Sequence, residues 1–409
     1  MIFPGKRINM KQVFLVLTLC SIATAQTFQA VVQKLEQSPV EQRRRIIEQY
    51  LNTKQFSPII ENDSVLHIVL YGLADSVFVN GNLQRWLAPD RLERIPCGTY
   101  SFFYRTYIVP SDARLDYQLI INGVTKLDPQ NPLISPSGFG PHSEIRMPKF
   151  ITSPYLAFRN DIPHGVIDSL APLMKIPSPL NHYLPSPRAI KVYRPAGYDT
   201  LANLASVYFH DGFDAVDFAL AGTFIDNLID EKKIEPLIAV FIPSVQRQDE
   251  YIGNKLEQFV RYVADDIVPM IDILYKTEPS PLKRAVMGIS NGGHVSLYMA
   301  LRRPDVFLNA GGQSSTITPW LVDLTKKQYD AHRIDPQLKL YLDCGRYDII
   351  GEDPWFGKFE FLELNRNYSN VLSSFHIPHY FKEVNDGHEW GNWRQRMPDM
   401  LIYFFGKHL

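Results

Sequence analysis

The chain has 409 residues, of which 45% are hydrophobic and 21% charged, and this ordinary globular composition excludes a collagen-like or largely disordered protein. Lys and Arg number 42 against 43 Asp and Glu, so the net charge of −1 gives no basic surface of the kind that binds nucleic acid. Three cysteines without a Cys-x-x-Cys pair exclude a disulfide scaffold and a zinc ribbon. At roughly 150 residues per domain, the length predicts two to three domains.

Residues 1–25 have the pattern of a secretory signal peptide. Basic residues precede the short apolar run Val13–Ala23, and an Ala-x-Ala cleavage site ends at Ala25. The run is too short to span a bilayer, which takes about 20 residues. We therefore expect cleavage after Ala25 and export to the periplasm or the outside of the cell. Met10 is an alternative start, and a buried N-terminal helix is the alternative structure.

The next two regions differ in secondary structure. Apolar residues at helical spacing over 28–52, interrupted by Pro39, predict two short helices in an N-terminal segment, 26–60. Over 61–135 the hydrophobic period changes to two, in runs such as VLHIVLYG and YSFFYRTYIV, with Gly, Asn, Asp and Pro between the runs. Several short strands without an intervening helix predict a small all-β sandwich.

Two strings within this β region, VNGNLQRW and LDYQLIINGVTKLDPQNP, resemble the early-set immunoglobulin-like module that precedes glycogen-branching enzymes and enterochelin-type esterases. The resemblance implies an immunoglobulin-like sandwich, and such a module sometimes binds glucan. Glucan binding requires exposed aromatic side chains, and Trp86 is the only tryptophan of the segment. We therefore expect a structural domain packed on the catalytic one, with glycan binding as the alternative.

The remainder of the chain predicts a connector followed by a catalytic domain. Residues 136–187 are rich in proline and have little periodicity, which is typical of a connector that lies over a surface. Over 188–409 strand patterns alternate with helical patterns, including 254–274 and 292–303, which predicts an α/β fold with a mostly parallel sheet between two layers of helices. The predicted strands are AIKVYRPA, LASVYFHDG, PLIAVFIPS, RAVMGIS, VFLNAGGQSS, LKLYLDCG and HYFKEVND.

The segment RAVMGISNGGHVSLYMA indicates the chemistry most clearly. Gly288-Ile289-Ser290-Asn291-Gly292 is a G-x-S-x-G between a strand and a helix, a context typical of the nucleophile elbow of an α/β-hydrolase. This strained turn exposes the serine hydroxyl above the sheet, and side chains at the glycine positions would collide with the neighbouring strand and helix. We therefore predict Ser290 as the nucleophile, which requires a base and an orienting acid.

The orienting acid is expected after a later strand, because the chain order in this fold is serine, acid, histidine. Asp348 follows strand LKLYLDCG in the string CGRYD and is the predicted acid, since it lies nearest to the strand end. Glu352 and Asp353 lie in the same loop and are the alternatives. Asp343 lies inside the strand, where its side chain would point into the sheet surface.

The base is predicted to be His388. This residue follows strand HYFKEVND in the string NDGHEW, in a loop that contains glycine and precedes the last amphipathic helix. His376 and His379 precede the same strand and are the weaker candidates. The predicted triad is therefore Ser290, Asp348 and His388.

The tetrahedral intermediate of ester hydrolysis needs backbone amides that point at its oxyanion. We expect one amide from Asn291, at the start of the elbow helix. The second amide should come from Gly212 or Phe213, in the loop at the end of the string SVYFHDGF. His210 and Asp211 are expected to shape that loop rather than to act in catalysis.

At these residues the chain resembles the esterase D family, which includes enterochelin esterases, feruloyl esterases and mycolyltransferases. The matching strings are YFHDG, RQDEY, GISNGG, PDVF with QSS, CGRYD and DGHEWGNW, in this order from about residue 188 to 409. The resemblance implies an α/β-hydrolase whose CGxxD aspartate and GH histidine complete the triad, in agreement with Asp348 and His388. Asn291 departs from the family, in which a hydrophobic residue often follows the nucleophile, so the fine substrate preference stays open.

Aromatic and basic residues near the predicted triad are candidates for substrate binding. Trp355, Trp390 and Trp393 lie in the acid and histidine loops, and aromatic walls suit an aryl ester or a sugar. Packing against the last helix is the alternative for these side chains. Arg247 in RQDEY could attract an acidic ester, or it could pair with Glu250, which is the commoner outcome for an arginine near carboxylates.

The sequence thus predicts an exported serine ester hydrolase that acts on a small-molecule or glycan ester, with no nucleic-acid partner and no membrane span. No metal or cofactor is expected, because the chain contains no HExxH motif and no paired Cys/His ligand spacing. Cys97 and Cys344 lie in different predicted domains and are expected to be free, buried thiols, although export would permit a bridge.

Three questions about the reaction stay open at this level. A siderophore-type trilactone and a feruloyl or acetyl polysaccharide ester compete as substrates, and RQDEY slightly favours the enterochelin-esterase-like branch. An acyltransferase would use the same triad. A non-catalytic carbohydrate-binding protein would lack a triad member, and the sequence contains all three.

Overall fold

A computed structural model describes residues 27–53, 57–170, 188–353 and 357–406. The predicted signal peptide and Trp355 lie outside the described residues. Among the helices of the described residues, none combines the length and the apolar character needed to cross a membrane.

Two amphipathic helices begin the described chain, as their spacing predicts. Helix α1 (Phe28–Gln37) and helix α2 (Val40–Leu51) are separated by Ser38 and Pro39, and Pro39 is the N-cap of α2. Their apolar faces, including Phe28, share a buried cluster with Phe102 of the neighbouring sheet. The helices therefore cover the outer face of that sheet.

Residues 59–146, here called the β sandwich, form two antiparallel sheets that share one core. The first sheet has the order β1-β2-β6-β5, and the second has the order β4-β3-β7-β10-β9 with β8 beside β7. The strands are β1 (Ile59–Glu61), β2 (Val65–Gly72), β3 (Val77–Gly81), β4 (Asp90–Arg91), β5 (Glu93–Cys97), β6 (Tyr100–Ile108), β7 (Arg114–Ile121), β8 (Val124–Lys126), β9 (Ile134–Ser135) and β10 (His142–Arg146).

The segment 136–187, predicted as a connector, contributes to both sheet systems. Strand β10 pairs with β7 inside the sandwich, and β11 (Val166–Leu170) pairs antiparallel with β12 (Ile190–Arg194). Hydrophobic periodicity does not detect β10 because its buried residues are mostly polar, and Glu144 among them is satisfied by an ion pair with Arg114. The connector interpretation is therefore wrong for these two strands.

The predicted catalytic domain, 188–409, is here called the catalytic part. It is built on an eight-stranded sheet of order β11-β12-β14-β13-β15-β16-β17-β20, in which β11 comes from the preceding segment. From β14 to β20 all neighbours are parallel, as the strand–helix alternation predicts, and β11 and β12 add an antiparallel edge. The further strands are β13 (Ala205–His210), β14 (Leu237–Ile242), β15 (Arg284–Ile289), β16 (Asn309–Gln313), β17 (Lys339–Tyr347) and β20 (His379–Gly387), with a separate hairpin of β18 (Ile350–Asp353) and β19 (Gly357–Glu360).

Helices cover both faces of this sheet. Val286 of β15 joins one buried cluster and Met287 joins the cluster on the other face, which explains why these strands are almost continuously apolar. The helices are α3 (Gly212–Asp217), α4 (Ala221–Asp230), α5 (Arg247–Tyr251), α6 (Leu256–Arg261), α7 (Val268–Leu274), α8 (Asn291–Arg302), α9 (Pro319–Asp330), α10 (Phe361–Ser374), α11 (Trp390–Trp393) and α12 (Met397–Phe405), with a π-helical turn (Tyr262–Ile267) between α6 and α7.

Candidate active site

Ser290 lies on a sharp turn between β15 and α8, with φ 53° and ψ −121°. A non-glycine residue rarely adopts this backbone conformation, which is characteristic of the strained turn at a nucleophile elbow. The turn is held by backbone bonds, since the Ser290 amide donates to Gln313 at 2.9 Å and its carbonyl accepts from Thr316 at 3.1 Å. A Cβ atom on Gly288 would lie 2.5 Å from the Gly292 carbonyl carbon, so the close approach requires glycine.

The predicted oxyanion amides lie at the starts of two neighbouring helices. Helix α8 begins at Asn291 and α3 at Gly212, and neither helix has a side-chain cap. The first amides of a helix have no partner within it, which is the property required of the predicted oxyanion donors Asn291, Gly212 and Phe213. The two starts are adjacent, because a Cβ atom on Gly292 would lie 3.2 Å from Asp211 Oδ2.

Arg247 holds this pair of turns together. Its Nη2 donates to Asp211 Oδ2 at 2.7 Å and to the carbonyl of Ile289 at 3.4 Å. The expectation of an Arg247–Glu250 pair is wrong, because Arg188 occupies the buried Glu250 carboxylate. The sequence analysis considered Glu250 as the partner, and the fold instead brings Asp211 to Arg247 from the end of β13.

Further side chains of the catalytic part support the start of α8. The Asn291 amide group donates to Gln248 at 2.8 Å, and its oxygen accepts from Thr316 Oγ1 at 2.6 Å. Both polar atoms of the Asn291 side chain therefore have hydrogen-bond partners, although this residue departs from the family pattern. His210 has a fully buried ring near Tyr251, and burial lowers its pKa to about 3, which is consistent with a neutral, loop-shaping residue.

Asp348 and His388 lie directly after two neighbouring parallel strands, β17 and β20, and their side chains meet. His388 Nδ1 and Asp348 Oδ1 are 2.7 Å apart, and both side chains are buried. Burial opposes ionisation of Asp348, but the charge and hydrogen bond of His388, the Ser314 hydroxyl and the Ile349 amide outweigh it and lower the pKa of Asp348. The pair therefore has the geometry of a carboxylate that orients an imidazole.

The other candidates for acid and base lie elsewhere. Glu352 is exposed on strand β18, and Asp343 on strand β17 pairs at 3.0 Å with buried Arg396, which precedes α12. His379 begins β20 and hydrogen-bonds Ser369, and His376 precedes that strand. None of these side chains takes part in the contact between Asp348 and His388.

Aromatic rings pack around the His388 imidazole rather than line an open wall. Phe361 and Trp393 each lie 4.7 Å from it, measured between ring centroids. Trp393 is fully buried and donates to Ser314 Oγ at 3.1 Å, while Trp390 is 2% exposed and packs against Trp393. Of the two interpretations given for Trp390 and Trp393, substrate binding or packing, the structure favours packing, because both rings lie in the core.

Sequence reasoning missed the residues of the β sandwich that contact the acid and histidine loops. Arg85 Nε donates to the Asp348 carbonyl at 2.9 Å, and Ser137 Oγ donates to Glu389 Oε2 at 2.9 Å. The contacts join residues more than 250 positions apart, and a single sequence carries no signal for such a pairing. Glu389 alone could have been suspected, since it lies in the motif DGHEWGNW.

Cys97 and Cys344 are both buried and unpaired, and the Cys344 thiol lies 3.5 Å from Asp348 Oδ2. Over the ranges that the structure describes, no group of three or more His, Cys, Asp or Glu side chains has an arrangement that could hold a metal ion.

Comparisons with known proteins agree with this architecture. The model of the family described as "Putative esterase" matches residues 181–404, more than half of the chain. The uncharacterized protein YjcH of Bacillus subtilis (strain 168) is 25% identical over 208 residues, which cover 50% of this chain and 85% of that protein. The endo-1,4-beta-xylanase/feruloyl esterase of Xylanibacter ruminicola is 27% identical over 166 residues, which cover 37% of this chain and 22% of that protein. The match thus spans about a fifth of that relative.

Solved structures share the fold over most of the chain. The enterobactin esterase FES from Shigella flexneri has a TM-score of 0.66 at 17% identity, covering 87% of this chain and 97% of that one. The ferric enterobactin esterase from Salmonella typhimurium has a TM-score of 0.67 at 15% identity, covering 87% and 98%. Because the family model matches more than half of the chain, the chain belongs to the putative esterase family and is a carboxylic ester hydrolase.

Proposed function

We propose that this esterase is an exported serine hydrolase that uses Ser290, His388 and Asp348 as its catalytic triad. The hydrogen bond of 2.7 Å between His388 Nδ1 and Asp348 Oδ1 carries the proposal, because it joins two strand ends of the sheet that also bears the elbow of Ser290. Export rests on the signal-like residues 1–25, ahead of a mature chain that starts at residue 26.

The proposed reaction begins with acyl transfer to the enzyme. Ser290 Oγ attacks the ester carbonyl carbon while its proton passes to His388 Nε2, and Asp348 stabilises the imidazolium through Nδ1. The carbonyl oxygen becomes an oxyanion, which accepts hydrogen bonds from the amides of Asn291 and of Gly212 or Phe213. When the tetrahedral intermediate collapses, the alcohol leaves with the proton from His388 Nε2.

Water completes the cycle by the same steps. His388 removes a proton from a water molecule, which attacks the acyl-enzyme carbonyl. The second tetrahedral intermediate collapses to release the carboxylic acid, and the proton on His388 returns to Ser290 Oγ. A sugar hydroxyl in place of water would give an acyl transfer with the same residues.

We propose a siderophore ester of the catecholate trilactone class as the substrate. The support is the similarity to FES of Shigella flexneri, whose structure is described in the presence of enterobactin and which is matched over 97% of its length. The covered 87% of this chain extends beyond the catalytic part into the N-terminal region, so the common architecture includes more than the hydrolase sheet.

A feruloyl polysaccharide ester is the second candidate substrate. Its support is the 27% identity to the endo-1,4-beta-xylanase/feruloyl esterase of Xylanibacter ruminicola, a higher identity over a shorter stretch. Both candidates are carboxylic esters, so the chemistry of the triad does not separate them.

A panel assay on the mature protein tests both parts of the proposal. Ferric catecholate trilactones, feruloyl-oligosaccharides and short aryl esters are compared by kcat/KM, with a Ser290→Ala variant as the blank for each substrate. A preference for the trilactone supports the first substrate, and a preference for the feruloyl ester replaces it with the second. A serine-directed phosphonate should label the peptide that contains Ser290 and abolish activity, whereas a chelator should leave activity unchanged. Phosphonate resistance would contradict the serine mechanism.

A further inference from the structure

The loop that carries Asp348 is attached to the β sandwich through Arg85. The Arg85 Nε donates to the Asp348 carbonyl at 2.9 Å, and its Nη2 lies 2.6 Å from Glu360 Oε1. The Arg85 carbonyl in turn accepts from the Ile350 amide at 3.4 Å. One side chain of the sandwich therefore holds both the backbone of the predicted acid and the hairpin that follows it.

The loop that carries His388 is attached to the sandwich at the next residue. The Glu389 carboxylate accepts from Ser137 Oγ at 2.9 Å, and its Oε1 lies 3.5 Å from His142 Nδ1. His142 and Glu389 are each about 5% exposed. Two residues from the sandwich thus fix the side chain beside the predicted base.

Two more contacts extend this attachment along the histidine loop. Arg114 Nη1 donates to Asn392 Oδ1 at 2.7 Å, and Asn392 Nδ2 donates to the Gly387 carbonyl at 2.9 Å. A Cβ atom on Gly387 would lie 2.4 Å from Asn82 Nδ2, so the loop lies directly against the sandwich. The backbone on both sides of His388 is therefore in contact with this domain.

These contacts are buried polar interactions, which cost stability when they lose a partner. An unpaired buried donor or acceptor costs about 1–3 kcal/mol, and a buried charge costs more. Arg114 and Asn392 are almost fully buried, as is Glu389. The loops consequently have one favourable arrangement when the sandwich is docked and would lose it when these contacts are removed.

We propose that the β sandwich is a positioning element for the acid–base pair, in which Arg85 orients the Asp348 loop and Ser137 and His142 orient the His388 loop through Glu389. The inference rests on the proposed triad. This positioning role is separate from the glycan-binding role that such modules sometimes have.

The sandwich acts in this scheme through geometry and does not touch the reacting atoms. Proton transfer from Ser290 requires the imidazole at the correct distance and angle, and a displacement of about 1 Å can cost on the order of a hundredfold in rate. Loosening either loop should therefore lower kcat and leave KM nearly unchanged. General loss of folded protein would lower the active fraction and the unfolding temperature together.

The first test compares Arg85→Ala with Arg94→Ala. Arg94 belongs to the same sandwich, but its Nε donates to Ser101 Oγ at 3.0 Å within that domain. With a soluble aryl ester, Arg85→Ala should lower kcat roughly tenfold to a hundredfold, with KM within about twofold of wild type. Arg94→Ala should keep wild-type kcat. Arg85→Lys retains a donor and should recover part of the loss.

The second test addresses the histidine loop with a matched pair of buried histidines. His67 Nε2 lies 3.5 Å from Glu61 Oε2 inside the sandwich, the same separation as in the His142–Glu389 pair. His142→Gln and Ser137→Ala should lower kcat, and His67→Gln should not. The low-field proton resonance of the His388–Asp348 hydrogen bond should shift or broaden in His142→Gln alone of the two histidine variants.

The outcomes separate the inference from the proposed function. If Ser290→Ala is inactive while folded Arg85→Ala and Ser137→Ala keep kcat within about twofold of wild type, the triad stands and the positioning role is wrong. If Ser290→Ala retains activity, the proposed triad itself fails. Should Arg85→Ala not fold, Arg85→Lys and Ser137→Ala decide, because each preserves most of the native contacts.

Discussion

The two halves of the candidate site are supported by different parts of the chain. Around Ser290, the supporting side chains come from the catalytic part itself, with Arg247 joining the turn before α3 to the elbow and Gln248 holding Asn291. Around Asp348 and His388, contacts also come from the β sandwich, through residues more than 250 positions away. The named hydrogen bonds of the nucleophile half thus lie within the catalytic part, whereas those of the acid–base half join two domains.

The sheet order explains this difference. Strands β13 and β15, which lead to the predicted oxyanion turn and to the turn at Ser290, are neighbours in the middle of the eight-stranded sheet. Strand β20, which leads to His388, is the last strand of the sheet, and an edge strand leaves one side free to be covered. Asn385 near its end donates to Asp112 of the sandwich at 2.7 Å. A second domain can therefore support the predicted base without disturbing the predicted nucleophile.

The largest expected effect is on the nucleophile half. Ser290→Ala should reduce turnover to less than about a thousandth of wild type, because the acyl-enzyme cannot form. The fold should be unaffected, since the turn is held by backbone bonds and by glycines that do not involve Oγ. Steady-state turnover together with the circular dichroism spectrum is the measurement. A folded variant that exceeds this activity would exclude Ser290 as the nucleophile.

The next largest effect should come from the acid. Asp348→Asn should lower kcat by roughly 10³ to 10⁴, because the amide disfavours the imidazole tautomer that activates the serine. Glu352→Gln and Asp353→Asn are the matched controls on the neighbouring hairpin, and each should change kcat by less than about tenfold, or ~1.4 kcal/mol. If one of the controls shows this large loss of kcat instead of Asp348→Asn, the assignment of the third triad member is wrong.

The predicted oxyanion turn allows a further test of the nucleophile half. In Gly212→Ala, the new Cβ atom would lie 2.4 Å from the backbone of Phe241 and Ile242, so the turn must move. Displacing one oxyanion donor should lower kcat by about a hundredfold to a thousandfold. Gly222→Ala on α4 is the control, because its Cβ atom would meet only the end of the Ile167 side chain, at 3.3 Å. Equal kcat in both glycine variants would exclude the Gly212 turn from the oxyanion site.

The sequence predicted the strands of the parallel sheet, and the positions of the candidate site residues at their ends, because local patterns determine them. Continuous apolar strands located β13 to β17, and the position of Ser290 between a strand and a helix implied the elbow. Asp348 and His388 could be chosen because each directly follows a strand. These inferences use only neighbouring residues and the fixed chain order of the fold.

The buried polar pairs could not be predicted, for a physical reason. Strand β10 is buried but mostly polar, and its stability depends on Arg114, which comes from another strand. The partner of Arg247 was misassigned because Asp211 reaches it only after the sheet has formed. Polar contacts of this kind leave no periodic pattern, so sequence reasoning finds apolar layers and misses the ion pairs that join them.

The smallest predicted effect concerns the contact between the two domains and its dependence on pH. Burial disfavours the charged form of His142, but the hydrogen bond and charge of Glu389, with a further contribution from Asp116, outweigh burial and nearby Arg114, so the pKa of His142 is raised above 6.5. A histidine whose pKa is raised on folding stabilises the protein fully below its ordinary pKa, and the contribution disappears as pH rises through the folded value.

We therefore expect wild type to exceed His142→Gln in unfolding free energy by on the order of 1 kcal/mol below pH 6.5, with the difference shrinking as the pH rises. Denaturant unfolding across this pH range is the measurement. In a Glu389→Gln background the pH dependence of the His142→Gln difference should largely vanish, because the carboxylate that raises the pKa is gone. A difference that grows with pH, or a pH dependence that persists in Glu389→Gln, would show that His142 does not stabilise the domain contact as a cation paired with Glu389.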